Sequence, residues 1–210
     1  MAHRFASLLF TEEVKALQER FGSRESYRRL EEGEVPPNDR LGAREAGFIA
    51  ARDSFLMASV SSSGWPYVQH RGGPPGFLKV LGERLLGFAD FSGNRQYVSA
   101  GNLLHDDRVA LILLDHANRR RLKLLGRARI AGEEEQPDLA ARLRMPFYTA
   151  RIERAVLIEV EAFDWNCPQH ITPRFTAEEL EKSLAPVRER IAALERENAA
   201  LRQALATAPA

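Results

Sequence analysis

The feature that most constrains the fold is a series of short apolar runs, separated by tight turns, in the middle of the chain. Residues 62–64 and 82–84 have the composition of hairpin turns. The predicted strands are residues 55–60, 66–71, 77–81, 85–91, 109–114, 121–130 and 155–163, with a short helix at 137–145. Short strands at this spacing indicate a mainly β barrel with flanking helices, of the α+β class. A doubly wound fold is not expected, because no βαβ unit repeats and neither GxGxxG nor GxxxxGKS/T occurs.

Two helical segments flank the predicted barrel domain, which covers residues 46–175. Residues 1–45 form an N-terminal helical arm, in which Thr11 is the predicted N-cap of a helix that Gly22 ends. Residues 176–210 form a C-terminal amphipathic helix that opens with a capping box. The chain is therefore expected to have three parts.

The C-terminal segment carries a coiled-coil-like heptad pattern. Its seam alternates four and three positions apart: Leu180, Leu184, Val187, Ile191, Leu194, Asn198, Leu201 and Leu205. With Leu184 at position a, a parallel homodimer places Arg190 opposite Glu195, and Glu197 opposite Arg202. The alternative is one long amphipathic helix lying on its own domain. Pro186 removes a backbone donor and clashes with the preceding turn, so a kink or a restart of the helix is open at that position.

Two glycine-containing stretches, residues 65–76 and 87–96, have the composition of an anion site. Glycine lets the backbone approach an anion closely, and the guanidinium groups of Arg71 and Arg95 match phosphate geometry. The second stretch runs into a helix-like segment, residues 96–104, whose first amides would point at the same anion. The pattern predicts a phosphate-bearing cofactor, with Arg95 as the first candidate. A surface ion pair is the alternative role for Arg71.

Composition excludes several classes of function. A net charge of +1 argues against a general nucleic-acid-binding protein. The single cysteine, Cys167, cannot form an internal disulfide and fits a reducing compartment. No apolar run reaches membrane-spanning length, so we expect a cytoplasmic protein with no membrane partner. Cys167 and His170 lack a second pair of ligands at matching spacing, so no metal site is predicted.

Four segments, taken together, resemble the pyridoxamine 5'-phosphate oxidase-like family of FMN-binding split β-barrels. They are residues 70–78, 93–95, 105–111 and 122–128. The resemblance covers residues 46–174 and implies a homodimer with two FMN molecules at the subunit interface.

The expected cofactor-binding residues are Arg71, Ala89, Asp90, Asn94, Arg95, Gln96, Arg121, Trp165 and Arg174. By the resemblance, Arg95 stands at the family's phosphate-binding Arg, and Gln96 replaces a Lys of the oxidases. Arg121 stands where a Gln usually meets the isoalloxazine ring. Trp165 and Arg174 resemble a Trp and an Arg that the partner subunit contributes to the flavin.

The resemblance implies a flavin-dependent oxidoreductase that acts on an unidentified small molecule, with catalytic residues that the sequence does not identify. Synthesis of vitamin B6 is not expected, because His170 and Thr172 stand where the true oxidases hold substrate phosphate with an Arg and a His. The alternatives are a non-catalytic flavin- or haem-binding or sensing module, and an F420-dependent reductase.

Overall fold

The computed structural model describes residues 2–165 and 168–206. The helices are α1 (Arg4–Leu9), α2 (Glu12–Arg20), α3 (Arg24–Glu32), α4 (Ala43–Ala50), α5 (Val98–Leu103), α6 (Gln136–Leu143) and α7 (Ala177–Ala206). The strands are β1 (Ser54–Val60), β2 (Pro66–Gly72), β3 (Lys79–Gly82), β4 (Leu85–Phe91), β5 (Arg108–Asp115), β6 (Arg120–Ile130) and β7 (Ile152–Trp165). The Thr11 cap is confirmed, since its hydroxyl accepts the backbone N–H of Val14. The expected α+β class, mainly β with flanking helices, is confirmed.

The strands form a seven-stranded sheet in the order β2-β1-β5-β6-β7-β4-β3. Every neighbouring pair is antiparallel. The two predicted hairpins, β1–β2 and β3–β4, lie at opposite edges because β5, β6 and β7 are placed between them. Side chains of β2 and β4 nevertheless touch, at 2.5 Å between Arg71 and Asp90. The sheet therefore curls until its first and sixth strands meet, which makes a barrel from an open sheet.

The barrel interior is filled by one face of the sheet. Residues alternate between buried and partly buried along β1 and β5, as expected for strands with one face on a core. The interior includes Met57, Leu113 and Leu122, none of which is exposed to solvent. Full burial of each such side chain contributes about 1.5–3 kcal/mol. A second apolar cluster joins α6 to the outer side of β4 and β7 through Ala89, Ala131, Leu139, Leu143, Ala155 and Leu157.

A bulge in β7, where Glu161 is the extra residue, lies opposite a glycine of β6. The register between β6 and β7 shifts at Leu125 and Gly126, and a Cβ on Gly126 would lie 2.4 Å from the carbonyl oxygen of Glu159. No side chain fits at that distance, so the shift in register and the residue type are linked.

The chain divides into two compact units. The first contains the barrel and helices α1–α6; the second contains residues 116–118 and the segment from residue 170 onward, which carries α7. The separation of an N-terminal arm from the barrel stays a prediction. In the second unit, α7 runs through Pro186 without interruption, and Thr176 and Glu179 form the predicted capping box. Among the described residues, no helix is both long and apolar enough to cross a membrane.

Candidate anion-binding site

The site is built where barrel closure brings β2 against β4. Arg71 and Asp90 point into the barrel mouth from these strands, and Arg71 Nη1 donates to Asp90 Oδ1 over 2.5 Å. Each side chain is only 13% exposed. The Arg71 guanidinium also lies 5.7 Å from the ring centroid of Phe88, the preceding inward residue of β4. Arg71 is therefore held by an ion pair and by an aromatic face.

A second guanidinium reaches the same carboxylate from β7. Arg154 is the register partner of Asp90, and its Nε lies 3.2 Å from Asp90 Oδ2. Arg154 also contacts Glu153, at 2.6 Å, and its guanidinium lies over the ring of Tyr97, 4.8 Å from the centroid. Asp90 thus bridges two cations whose charges would otherwise repel each other.

Burial changes the pKa of both partners in this pair. It raises the pKa of Asp90, and the charges of Arg71 and Arg154 oppose that shift. It lowers the pKa of Arg71, and the charge of Asp90 opposes that shift. The arginine stays protonated at any working pH, so the carboxyl is the group of this pair that can titrate.

The segment after β4 closes the site from one side. Arg95 and Tyr97 have left-handed backbones, with φ of 58° and 56°. Arg95 Nε donates to the Tyr97 hydroxyl over 3.1 Å, and the Asn94 side chain accepts the backbone N–H of Gln96. Helix α5 begins at Val98, two residues later than the helix-like segment predicted from the sequence. The turn, rather than a helix terminus, sets the position of these side chains.

These residues surround a cavity of about 210 Å³. Its lining includes four predicted site residues, Arg71, Asp90, Asn94 and Arg95, together with Arg154 and Glu153. Three guanidinium groups against two carboxylates leave a net positive charge. Arg71 Nε is buried and has no hydrogen-bond partner among the described residues. Because a buried donor without a partner is costly, an acceptor that reached this N–H would stabilise the site.

Two predicted residues lie beside the cavity without lining it. The side chain of Ala89 points to the other side of β4, into the cluster with Leu139 and Ala155. Gln96 is exposed, in the turn between β4 and α5.

The other three predicted residues are not among those that line the cavity. Arg121 is on the outer face of β6, and its Nε is buried without a partner among the described residues. Trp165 ends β7, donates from Nε1 to Glu45 over 2.8 Å and packs edge-on against Phe48. Arg174 is exposed in the second unit. Their roles toward a cofactor stay predictions, as does the expectation that a partner subunit supplies the last two.

Sequence reasoning missed Arg154, which precedes the apolar part of the last strand. The strand was predicted to begin at residue 155, and the signal that finds Arg154 is its pairing with Asp90 across β4 and β7. The Cys167 thiol considered above lies outside the described residues. Within the described ranges, no group of three or more His, Cys, Asp or Glu could hold a metal ion.

Comparison with solved structures gives distant likenesses. A putative pyridoxamine 5'-phosphate oxidase from Lactobacillus delbrueckii is 19% identical, with 60% of this chain and 94% of that chain covered and a TM-score of 0.45. An FMN-binding protein from Syntrophomonas wolfei is 11% identical, with 74% and 96% covered and a TM-score of 0.43. HupZ from Group A Streptococcus is 13% identical, with 64% and 100% covered and a TM-score of 0.45. No curated protein matches the chain significantly.

The sequence match to a family is more extensive. The family model described as pyridoxamine 5'-phosphate oxidase matches residues 42–166, a range that holds all seven strands and the whole cavity. Since this match spans more than half of the 210 residues, the chain belongs to the pyridoxamine 5'-phosphate oxidase family and has its split-barrel fold.

Proposed function

We propose that this protein is an FMN-binding flavoprotein and that the cavity between β2, β4 and β7 holds the phosphate of FMN. The observation that carries the proposal is a cavity lined by three guanidinium groups, those of Arg71, Arg95 and Arg154, of which Arg71 keeps a buried Nε–H without a partner among the described residues. Charge-assisted hydrogen bonds from guanidinium groups are the strongest contacts that a protein offers to phosphate. Family membership supports the same assignment.

Arg71 is held in place beside the cavity. Its Nη1 donates to Asp90, and its buried Nε has no acceptor among the described residues. Asp90 and Phe88 therefore hold the guanidinium while one of its donors stays unused. Arg154 is fixed by the same carboxylate, so two of the three cations are preorganised.

The cavity of about 210 Å³ is smaller than the roughly 300–1,000 Å³ of ordinary small-molecule pockets. It suits a phosphate with the adjoining part of the ribityl chain, and the isoalloxazine ring would extend beyond it. The outer face of β1, β5 and β6 is partly exposed and apolar, at Leu56, Ile112 and Leu125. Val68 on β2, which faces the same way, is 58% exposed. We propose that a second copy covers this face and completes the cofactor site in a homodimer.

When bound, FMN would supply the redox chemistry, and this chain would fix its phosphate and surround its ring. On that basis we propose a flavin-dependent oxidoreductase that acts on an unidentified small molecule, without assigning catalytic residues. His170 and Thr172 replace the substrate-phosphate residues expected of true pyridoxamine-phosphate oxidases, so we do not propose vitamin B6 synthesis.

The first experiment is mass spectrometry of whatever small molecule denaturation releases from the purified protein, with calorimetric titration of FMN into the cofactor-free chain. Release or tight binding of FMN supports the proposal. Release of F420 or haem would show that the cofactor is that molecule and not FMN. Colourless protein that fails to bind added FMN overturns the proposal.

Two further measurements test the proposed oxidoreductase activity and the proposed homodimer. Reduction of the bound flavin by NADH or NADPH, followed by reoxidation, supports an oxidoreductase; a flavin that no donor reduces indicates a binding or sensing module. Analytical ultracentrifugation should give the mass of two chains, and a monomer in the presence of FMN contradicts a cofactor site shared between copies.

A further inference from the structure

We infer that α7 pairs with α7 of a second copy of this chain as a parallel, two-stranded coiled coil. Six large apolar side chains lie on one line of this 30-residue helix. Each is between 43% and 58% exposed: Leu180, Leu184, Val187, Ile191, Leu194 and Leu201. Large apolar residues repeated every three and four positions form the seam of a coiled coil. The inference concerns an interaction surface and needs no cofactor.

The polar faces of α7 already satisfy each other within one chain. Lys182 Nζ donates to Glu178 over 2.6 Å, and Arg188 donates to Glu181 over 2.5 Å. Pro186 falls at position c of the heptads that take Leu184 as a, on the side turned away from the seam. The helix continues through Pro186, so the seam is not interrupted there.

Charges beside the seam suit a second copy of the same helix. In the parallel arrangement, Arg190 at position g faces Glu195 at position e of the second copy. Glu197 likewise faces Arg202 of the second copy, and symmetry doubles both contacts. No other type of chain is needed to match these charges.

Antiparallel pairing has two registers with long overlap. If Ile191 faces Val187 of the second copy, Arg190 meets its own equivalent and Glu181 meets Glu195, which are repulsive contacts. If Ile191 faces Leu194 instead, opposite charges meet throughout. Charge therefore excludes the first antiparallel register but not the second.

Asn198 decides between the second antiparallel register and the parallel one. In parallel, Asn198 at position a faces Asn198 of the second copy, and each amide can donate to the other. In the antiparallel register it faces Val187, so both amides are buried without a partner. An unpaired buried amide costs more than an exposed ion pair returns, which favours the parallel arrangement.

Cysteine cross-linking of the full-length chain tests this inference. In a Cys167→Ser background that keeps Asn198, Ile191→Cys at position a places two thiols side by side across a parallel seam. We expect a disulfide-linked dimer on a non-reducing gel after mild oxidation at low protein concentration. The matched control is Arg196→Cys, at position f on the outer surface of the same helix, which should stay monomeric on the gel.

Two results overturn the inference. One is no cross-linking at position 191, or equal cross-linking at position 196. The other is a hetero-linked product from a mixture of Ile191→Cys chains and size-tagged Leu194→Cys chains, with little homo-linked product. That outcome reports the antiparallel register.

A charge exchange gives an independent readout. Arg190→Glu should slow cross-linking through position 191 about fivefold, because two symmetry-related contacts become repulsive. Adding Glu195→Arg should restore the rate in a parallel pair. In the antiparallel register the double variant instead sets like charges opposite Arg188 and Glu197, so failure of rescue contradicts the inference. An unchanged near-UV circular dichroism spectrum in both variants would show that the barrel is folded.

Discussion

Replacement of Arg71 by Gln is the sharpest test of the phosphate site. The substitution removes the buried guanidinium, including the Nη1 that contacts Asp90, and puts a shorter, neutral amide in its place. Asp90 retains its contact with Arg154, 3.2 Å away, so no carboxylate is left alone in the barrel mouth. The variant should therefore fold, which separates loss of affinity from loss of structure.

The expected loss of FMN affinity in Arg71→Gln follows from the burial of the guanidinium. A hydrogen bond to a charged group contributes about 1.5–3 kcal/mol, or roughly 10- to 100-fold in affinity. Arg71 is 13% exposed, so solvent screens it little and we expect the upper half of that range. Arg95 is exposed, and its Nε donates to the Tyr97 hydroxyl. Arg95→Gln should cost about tenfold or less, with a stronger dependence on salt.

Titration of cofactor-free protein with FMN and with riboflavin, at low and high salt, measures both effects. Riboflavin lacks the phosphate, so its affinity should be the same in wild type and in Arg71→Gln. Arg129→Gln is the matched control, because Arg129 is exposed and paired with Glu135, outside the cavity. Equal losses for FMN and riboflavin, or no loss for FMN, would refute the assignment of Arg71 to phosphate.

Two further predictions concern stability. Burial lowers the pKa of His3 from its ordinary value of 6.5, so the unfolded state binds more protons and stability should fall as pH drops below about 6.5. His3→Gln should flatten that decline in thermal unfolding measured from neutral to acid pH; an unchanged slope would assign the decline to other groups. Gly126→Ala should destabilise the fold by about 1–3 kcal/mol, because its Cβ would lie 2.4 Å from the carbonyl oxygen of Glu159. Gly101→Ala, whose Cβ meets nothing within 4 Å in α5, should be neutral or slightly stabilising in the same chemical denaturation assay, and similar losses for both variants would contradict the steric argument.

Local patterns in the sequence predicted the elements better than their arrangement. The turns at 62–64 and 82–84 connect the observed hairpins β1–β2 and β3–β4, because turn composition and strand alternation are local properties. The placement of β5, β6 and β7 between those hairpins depends on pairings between distant parts of the chain. No local pattern encodes such pairings, so the strand order was not predictable.

The same difference between local patterns and long-range pairing explains which site residues were predicted and which were missed. Arg71 and Arg95 were found because each lies at the end of a strand beside glycines, and Asp90 was assigned by the resemblance. Arg154 was missed because its role depends on the register between β4 and β7. Trp165 was assigned by resemblance to a flavin, whereas in this protomer its indole donates to Glu45. Trp165 can both hold Glu45 in its own protomer and contact a flavin. Titration of Trp165→Phe with FMN would separate the structural role from the cofactor role.

The carboxylate of Asp90 in a site for an anion requires a physical reason. Without it, Arg71 and Arg154 would repel each other in a barrel mouth where both are largely buried. With it ionised, a phosphate dianion would enter a site of low net charge. The groups that face Asp90 are Arg71 on β2, and Arg154 and Glu153 on β7.

Burial shifts this balance toward the protonated carboxyl. It raises the pKa of Asp90 above the ordinary 3.8, and an arriving dianion would raise it further, so FMN binding should take up a proton. Affinity should then fall as pH rises through the pKa of Asp90, since the bound state holds more protons than the free state. Asp90→Asn, which carries no charge to neutralise, should bind FMN at least as tightly and abolish the uptake. Calorimetry in buffers of different ionisation enthalpy measures the protons directly, and equal uptake in wild type and variant would assign the proton to the phosphate itself.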